Sequence, residues 1–190
     1  MSDEQAILQQ AIHGDIDAFG ILIELYQQAV INLAYRMLGN YQEAEDAAQE
    51  AFIRAFRNLR SYDPQRSFKT WLFSITSNHC IDRLRKRRLT YLSIDEPLPP
   101  HPSLMSDEQA DPEQQLLEQE RSIYIQNLLE QLAPDYRAAV ILRYWYDMSY
   151  TEIADALGTT ESAVKSRLFR ARQMLADFAE KQPSSRIKER

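Results

Sequence analysis

"SYTEIADALGTTESAVKSRLFRARQML", residues 149–175, contains two helical patterns with a short break between them. In the second, Val164, Leu168, Ala171 and Leu175 recur at i, i+4, i+7 and i+11, a single apolar stripe. At 100° per residue, Ser166, Phe169, Arg170 and Gln173 point the opposite way, with Lys165 and Arg172 on one flank and Arg167 on the other. In the first, Ser149 and Glu152 have the spacing of a capping box, while Ile153, Ala154 and Leu157 supply a buried side. Gly158 ends that helix and Thr160 is placed to cap the next. A helix, a tight turn and a second helix with a cationic outer face is the layout of a helix-turn-helix, whose second helix enters the DNA major groove.

The outward residues suit that task. Lys165, Arg167, Arg170 and Arg172 can meet phosphates and the O6 and N7 acceptors of guanine, Ser166 can donate or accept at a base edge, and Phe169 can meet a thymine methyl. A lone basic helix is more simply read as solvated, with its aromatic packed on a neighbour. The turn, both caps and the outward phenylalanine together favour DNA.

Working outward, the 190-residue chain is helical nearly throughout, with helices expected near 3–13, 16–38, 41–59, 67–88, 113–132, 135–146, 150–157 and 161–180. Three of its four glycines, Gly14, Gly39 and Gly158, fall where helical periodicity stops, and no Asn-Gly or Asp-Gly pair supports a hairpin. Asn40 is placed to cap the third helix, with Glu43 returning a bond to the Asn40 amide. Its inward stripe is Ala44, Ala47, Ala48, Ala51, Phe52, Ala55 and Phe56. Residues 91–112 hold five of eight prolines and no apolar face, as a linker would. The expected fold is all-α: two small helical domains, 1–90 and 113–180, joined by a flexible, acidic, Pro-rich linker and followed by a tail, 181–190. No apolar run approaches a membrane span, the start is acidic rather than basic, and the single cysteine, Cys80, precludes an internal disulfide. The chain reads as cytoplasmic, with no membrane insertion of its own.

The net charge of −6 conceals alternating blocks. Residues 1–50 carry one basic and nine acidic side chains, 51–90 ten and two, 91–135 one and ten, and 136–190 ten and seven. Separate blocks suit separate partners. In the basic block, "RLRKRR" (83–88) can hold a phosphate backbone through Arg83, Arg85, Lys86 and Arg87, or can simply be a solvated helix end. The loop "SYDPQRS" (61–67) offers Tyr62 and Arg66 to a base, and Asn78 has an amide that can read a base edge. Trp71 could stack on a base but is expected in the core. On the third helix the acidic outer face, with Glu43, Asp46, Gln49 and Glu50, cannot bind DNA and fits a basic protein partner or none.

Three stretches together resemble the extracytoplasmic-function group of sigma-70 family sigma factors: "LGNYQEAEDAAQEAFIRAF" (38–56), "SYDPQRSFKTWLFSITSNHCIDRLRKRR" (61–88) and "LAPDYRAAVILRYWYDMSYTEIADALGTTESAVKSRLFRAR" (132–172). The resemblance implies a transcription initiation factor whose partners are core RNA polymerase, promoter DNA and an anti-sigma factor. It implies that Asp46, Gln49 and Glu50 grip the coiled coil of the largest polymerase subunit. Asn78 and loop 61–67 would capture flipped bases of the minus-ten element, and Lys165, Ser166, Phe169 and Arg170 would read the minus-thirty-five element. The linker would run towards the RNA exit path. Thr159-Thr160 and Ser162 depart from the usual residues at the turn.

A stand-alone helix-turn-helix regulator is the alternative, but it leaves the acidic 41–59 face and the 61–88 segment without a role. An enzyme has less support. His13, His79 and His101 are scattered, Cys80 has no metal-spaced partner, and no phosphate-binding glycine loop occurs, so no catalytic residue, metal or cofactor is expected.

Overall fold

A computed structural model describes residues 3–64, 66–91 and 112–181, which form α-helices and one 3-10 turn, with no strand among the described residues. The helices are α1 (Asp3–Ile12), α2 (Ile16–Leu38), α3 (Tyr41–Asn58), α4 (Phe68–Tyr91), α5 (Pro112–Glu130), α6 (Pro134–Tyr144), α7 (Tyr150–Ala156) and α8 (Glu161–Lys181). Each expected helix is present, with ends within a few residues. The expected linker lies, except for its two end residues, outside the described residues.

In the N-terminal unit α2 is the central rod, contacted by α1, α3 and α4. Leu22, Val30, Leu33, Ala34 and Met37 of α2 are buried, as are Leu72, Phe73, Cys80 and Ile81 of α4. The alanine face of α3 (Ala44, Ala47, Ala48, Ala51, Ala55) is fully buried, so small side chains bring the backbones of α2 and α3 close. Phe56 departs from its expected place in that stripe. It is 45% exposed, and its ring rests on Phe19 at 5.0 Å between centroids. The Asn40 side chain accepts from the Glu43 amide as expected. The Glu43 carboxylate, however, crosses to Arg87 of α4 at 2.6 Å, because a charged partner on a packed helix outcompetes a neutral amide.

In the C-terminal unit α6 carries Ile141 and Leu142, α7 Ile153 and Ala156, and α8 Val164, Leu168 and Ala171 into one core. The Ser149–Glu152 capping box forms in both directions, and Thr160 accepts from the Ala163 amide. The two units do not stand apart. Helices α6 and α7 pack on α4, and α5 and α6 on α2. Tyr146 donates its hydroxyl to the Ala29 carbonyl and sets its ring edge-on to Phe73, 4.5 Å away. Arg137 is buried, and its guanidinium donates to the carbonyls of Met37 in α2, Glu130 and Leu132.

Gly39 is where α2 ends and α5 arrives. Its φ of 76° lies in the left-handed region, and a Cβ there would collide with the Glu130 carboxylate. Gly39→Ala is therefore expected to destabilise the chain by about 1–2 kcal/mol from backbone strain. Urea unfolding should show the loss as a lower midpoint with an unchanged slope.

Candidate nucleic-acid and polymerase interfaces

The turn between α7 and α8 presents α8 as the sequence requires. Val164, Leu168 and Ala171 face inward, while Ser166, Arg170, Arg172 and Gln173 are exposed. Phe169 is 55% exposed, with no ring partner among the described residues. A phenylalanine half in water on a cationic face forgoes about half of the ~1.5–3 kcal/mol of full burial, which a ligand covering it recovers. Lys165 lies 3.9 Å from Glu161 one turn back and also sits over the Tyr150 ring. Arg167 differs from its neighbours. It leans inward towards Asp135 of α6, 3.7 Å away, with Nη1 buried and without a hydrogen-bond partner.

The acidic face of α3 is built by the burial of its alanines, which turns Asp46 and Gln49 outward. Glu50 is tied to Arg54 at 2.6 Å, and that bond holds its carboxyl below the usual carboxylate range. Beside them Ile53 is 45% exposed, as is Phe56. Sequence reading missed the apolar part of this face. The signal was available, since Ile53 lies three and four residues beyond Glu50 and Gln49 on the same side.

The candidate minus-ten residues are more constrained. Tyr62 is corrected from a free loop aromatic to a buried one. Its ring packs on Phe68 and Trp71, and its hydroxyl donates to the Arg66 carbonyl, so it shapes the loop and offers no face to a base in this conformation. Trp71 is half-buried, lining the cleft between α4 and α7 with Arg66, Ser74 and Glu152. Arg66 lies 3.8 Å from Asp63 and 3.9 Å from Asp155 of α7. Asn78 donates to the Ala156 carbonyl at 3.0 Å, where Ser74 also donates at 2.9 Å. Arg85 meets both carboxylate oxygens of Asp135, at 2.9 and 3.2 Å. Arg83 reaches the Glu43 carbonyl at 3.5 Å, Arg87 is paired with Glu43 as above, and Lys86 is exposed.

Thus α8 presents an exposed cationic face around Phe169, α3 an acidic and apolar one, and α4 a basic one against which α6 and α7 are docked. The residues that dock them, Arg137, Tyr146, Thr70 and Ser74, were not singled out from the sequence. Only Arg137 carried a hint, as a charge entering the apolar run "AAVIL".

Residues 22–90 match the family model of sigma-70 region 2, and residues 115–175 that of sigma-70 region 4. The chain is 38% identical over 173 residues to the ECF RNA polymerase sigma factor SigW of Bacillus subtilis (strain 168), covering 88% of this chain and 92% of that protein. It is 37% identical over 163 residues to ECF RNA polymerase sigma factor SigE of Mycolicibacterium smegmatis, covering 86% of this chain but 62% of that longer protein. Among solved structures, CnrH in complex with the cytosolic domain of CnrY superposes with a TM-score of 0.68 at 26% identity, covering 94% of this chain and 98% of that one. With two region models matched in order and a full-length relative at this identity, the chain belongs to the extracytoplasmic-function sigma factors of the sigma-70 family.

Proposed function

We propose that the chain docks on core RNA polymerase through the outer face of α3 and reads a promoter at two places. Helix α8 reads the upstream, minus-thirty-five element as duplex, with Lys165, Ser166, Phe169, Arg170 and Arg172 in the major groove or on its phosphates. Arg167, turned towards Asp135, contributes mainly by positioning the helix. The basic end of α4, with Arg66, Asn78, Arg83, Arg85, Lys86 and Arg87, captures the downstream, minus-ten element as melted single strand, so that melting is stabilised by trapping the open form. Tyr62 supports that site from beneath. The chain catalyses nothing itself; the polymerase does the chemistry. CnrH was solved in complex with the cytosolic domain of CnrY, and by that likeness an anti-sigma factor is a partner of this chain as well.

The observation that carries this reading is the exposed Phe169 set among Ser166, Arg170 and Lys165 behind a doubly capped turn. Arg170→Ala should lower run-off transcription with core polymerase by roughly 5- to 150-fold on promoters selected from a library by the wild-type factor, the loss of one base contact of about 1–3 kcal/mol. Transcription from those promoters at an unchanged rate would reject the orientation of α8.

A further inference from the structure

Lys165 differs from the other outward cations of α8 in what holds it. Its ammonium lies 5.6 Å from the centre of the Tyr150 ring, at the start of α7, and 3.9 Å from the Glu161 carboxylate one turn back. Glu161 is in turn fixed by the Thr151 hydroxyl of α7, which donates to it. The same Tyr150 ring takes a second cation, the Arg143 guanidinium of α6, at 5.4 Å. Arg143 also donates to the Met148 carbonyl at 2.9 Å, which ties α6 to the loop from which Tyr150 enters α7. Tyr150 itself is 38% exposed, at the surface beside Lys165 rather than in the core. Arg170 and Arg172, by contrast, are exposed with no ion pair or ring contact among the described residues. An exposed ion pair one turn apart at 3.9 Å holds weakly and is screened by salt. A cation over an aromatic face is worth as much or more, so the ring is the stronger of the two holds.

We propose that Tyr150 is a positioning residue for reading of the upstream element, clasping Lys165 so that its ammonium meets a base edge instead of a phosphate. The inference rests on the major-groove role given to Lys165 above. An ammonium is a compact point charge on a flexible stem, without the planar fork by which arginine selects guanine. Left free, it settles on the nearest phosphate, a contact that adds affinity but carries no sequence information. Held by the ring and by Glu161, Lys165 has already given up rotamer freedom on folding, so less is lost when it meets O6 or N7 of guanine. The clasp thus turns a nonspecific cation into a specific one. Arg170 needs none, because its own fork supplies the geometry.

The test compares holoenzymes assembled from core polymerase and the full chain. Run-off transcription is measured from a promoter selected by the wild-type factor and from copies carrying each single base-pair change in its upstream element. Lys165→Ala is expected to relax discrimination at one base pair. Tyr150→Leu removes the ring but keeps an apolar side chain, and should relax that same base pair, and no other, by roughly two- to fivefold. The double variant should be no worse than Lys165→Ala alone, since the ring acts only through the ammonium. Tyr150→Phe keeps the ring and should retain wild-type discrimination, while helical circular dichroism and melting temperature check the fold of each chain. Losses that add in the double variant, a uniform loss across all promoter copies, or a loss in Tyr150→Phe as large as in Tyr150→Leu overturn the clasp. If Lys165→Ala relaxes a base pair and Tyr150→Leu does not, the clasp falls and the reading by α8 stands. If neither Lys165→Ala nor Arg170→Ala changes discrimination, the reading by α8 falls and takes the clasp with it.

Discussion

Asp46→Lys is expected to abolish capture of the chain by core RNA polymerase, a loss of at least ~100-fold in affinity, with helical content and melting temperature unchanged. Asp46 is exposed on α3 opposite the buried alanine face, so its replacement disturbs no core contact. Against a basic partner the change replaces an attraction with a like-charge juxtaposition, which costs several kcal/mol where the pair is desolvated, and each 1.4 kcal/mol is tenfold. Gln49→Lys should have the same sign and a smaller size, since no charge is removed. Ile53→Ala should weaken binding too, but through lost apolar contact and therefore with little salt dependence, whereas the Asp46 effect should shrink as salt is raised. Co-purification and surface-immobilised binding with core polymerase measure all three. Retained binding of Asp46→Lys would remove the acidic face of α3 from the polymerase interface.

The second large effect is expected at Arg137. Burial pulls its pKa down to about 10, so the guanidinium is still charged at neutral pH while held out of water. It remains there because it donates to three carbonyls at the ends of α2 and α5, although its Nε has no hydrogen-bond partner. Arg137→Met keeps much of the volume and removes all three bonds, leaving carbonyls at two helix ends unsatisfied. Each such group costs about 1–3 kcal/mol when it stays buried. A total loss of roughly 3–5 kcal/mol is expected, three such carbonyls less what water and local relaxation recover. Arg137→Lys should recover little of it, because an ammonium cannot span three carbonyls as a planar fork does. Thermal unfolding should separate into two transitions if only the dock is lost, α1–α4 melting apart from α5–α8. One transition at the wild-type temperature would show that Arg137 is dispensable.

How much of this was legible beforehand follows from the range of the interactions involved. The inward stripe of α8, the caps at Ser149 and Thr160 and the αL glycines are set by neighbours within four residues, and the sequence displays them directly. The outward Phe169 follows from the same geometry, since a 3.6-residue period that buries Val164 and Leu168 leaves it no inward direction. Phe56 and Tyr62 escaped for the opposite reason. Periodicity assigned Phe56 to the alanine side, but α2 and α3 are drawn so close by those alanines that a ring at the helix end is pushed to the rim against Phe19. Tyr62 looked like a loop residue, yet its hydroxyl finds the Arg66 carbonyl and its ring finds Phe68 and Trp71, and together these fold the loop over it. Glu43 behaved likewise, leaving a local cap for Arg87 on another helix.

By itself, the sequence of this sigma factor determined an all-helical chain, the helix-turn-helix and its exposed cationic face, the acidic outer side of α3 and the family. All of these rest on contacts within one or two helical turns, or on motifs whose order along the chain is itself the evidence. The tertiary structure alone decided that the two units share a dock, that Asp135 bridges Arg85 and Arg167, and that Asn78 is spent on the Ala156 carbonyl. Those pairs lie 32 to 78 positions apart, and no local period records which distant carboxylate or carbonyl a polar side chain will meet once the apolar faces have packed.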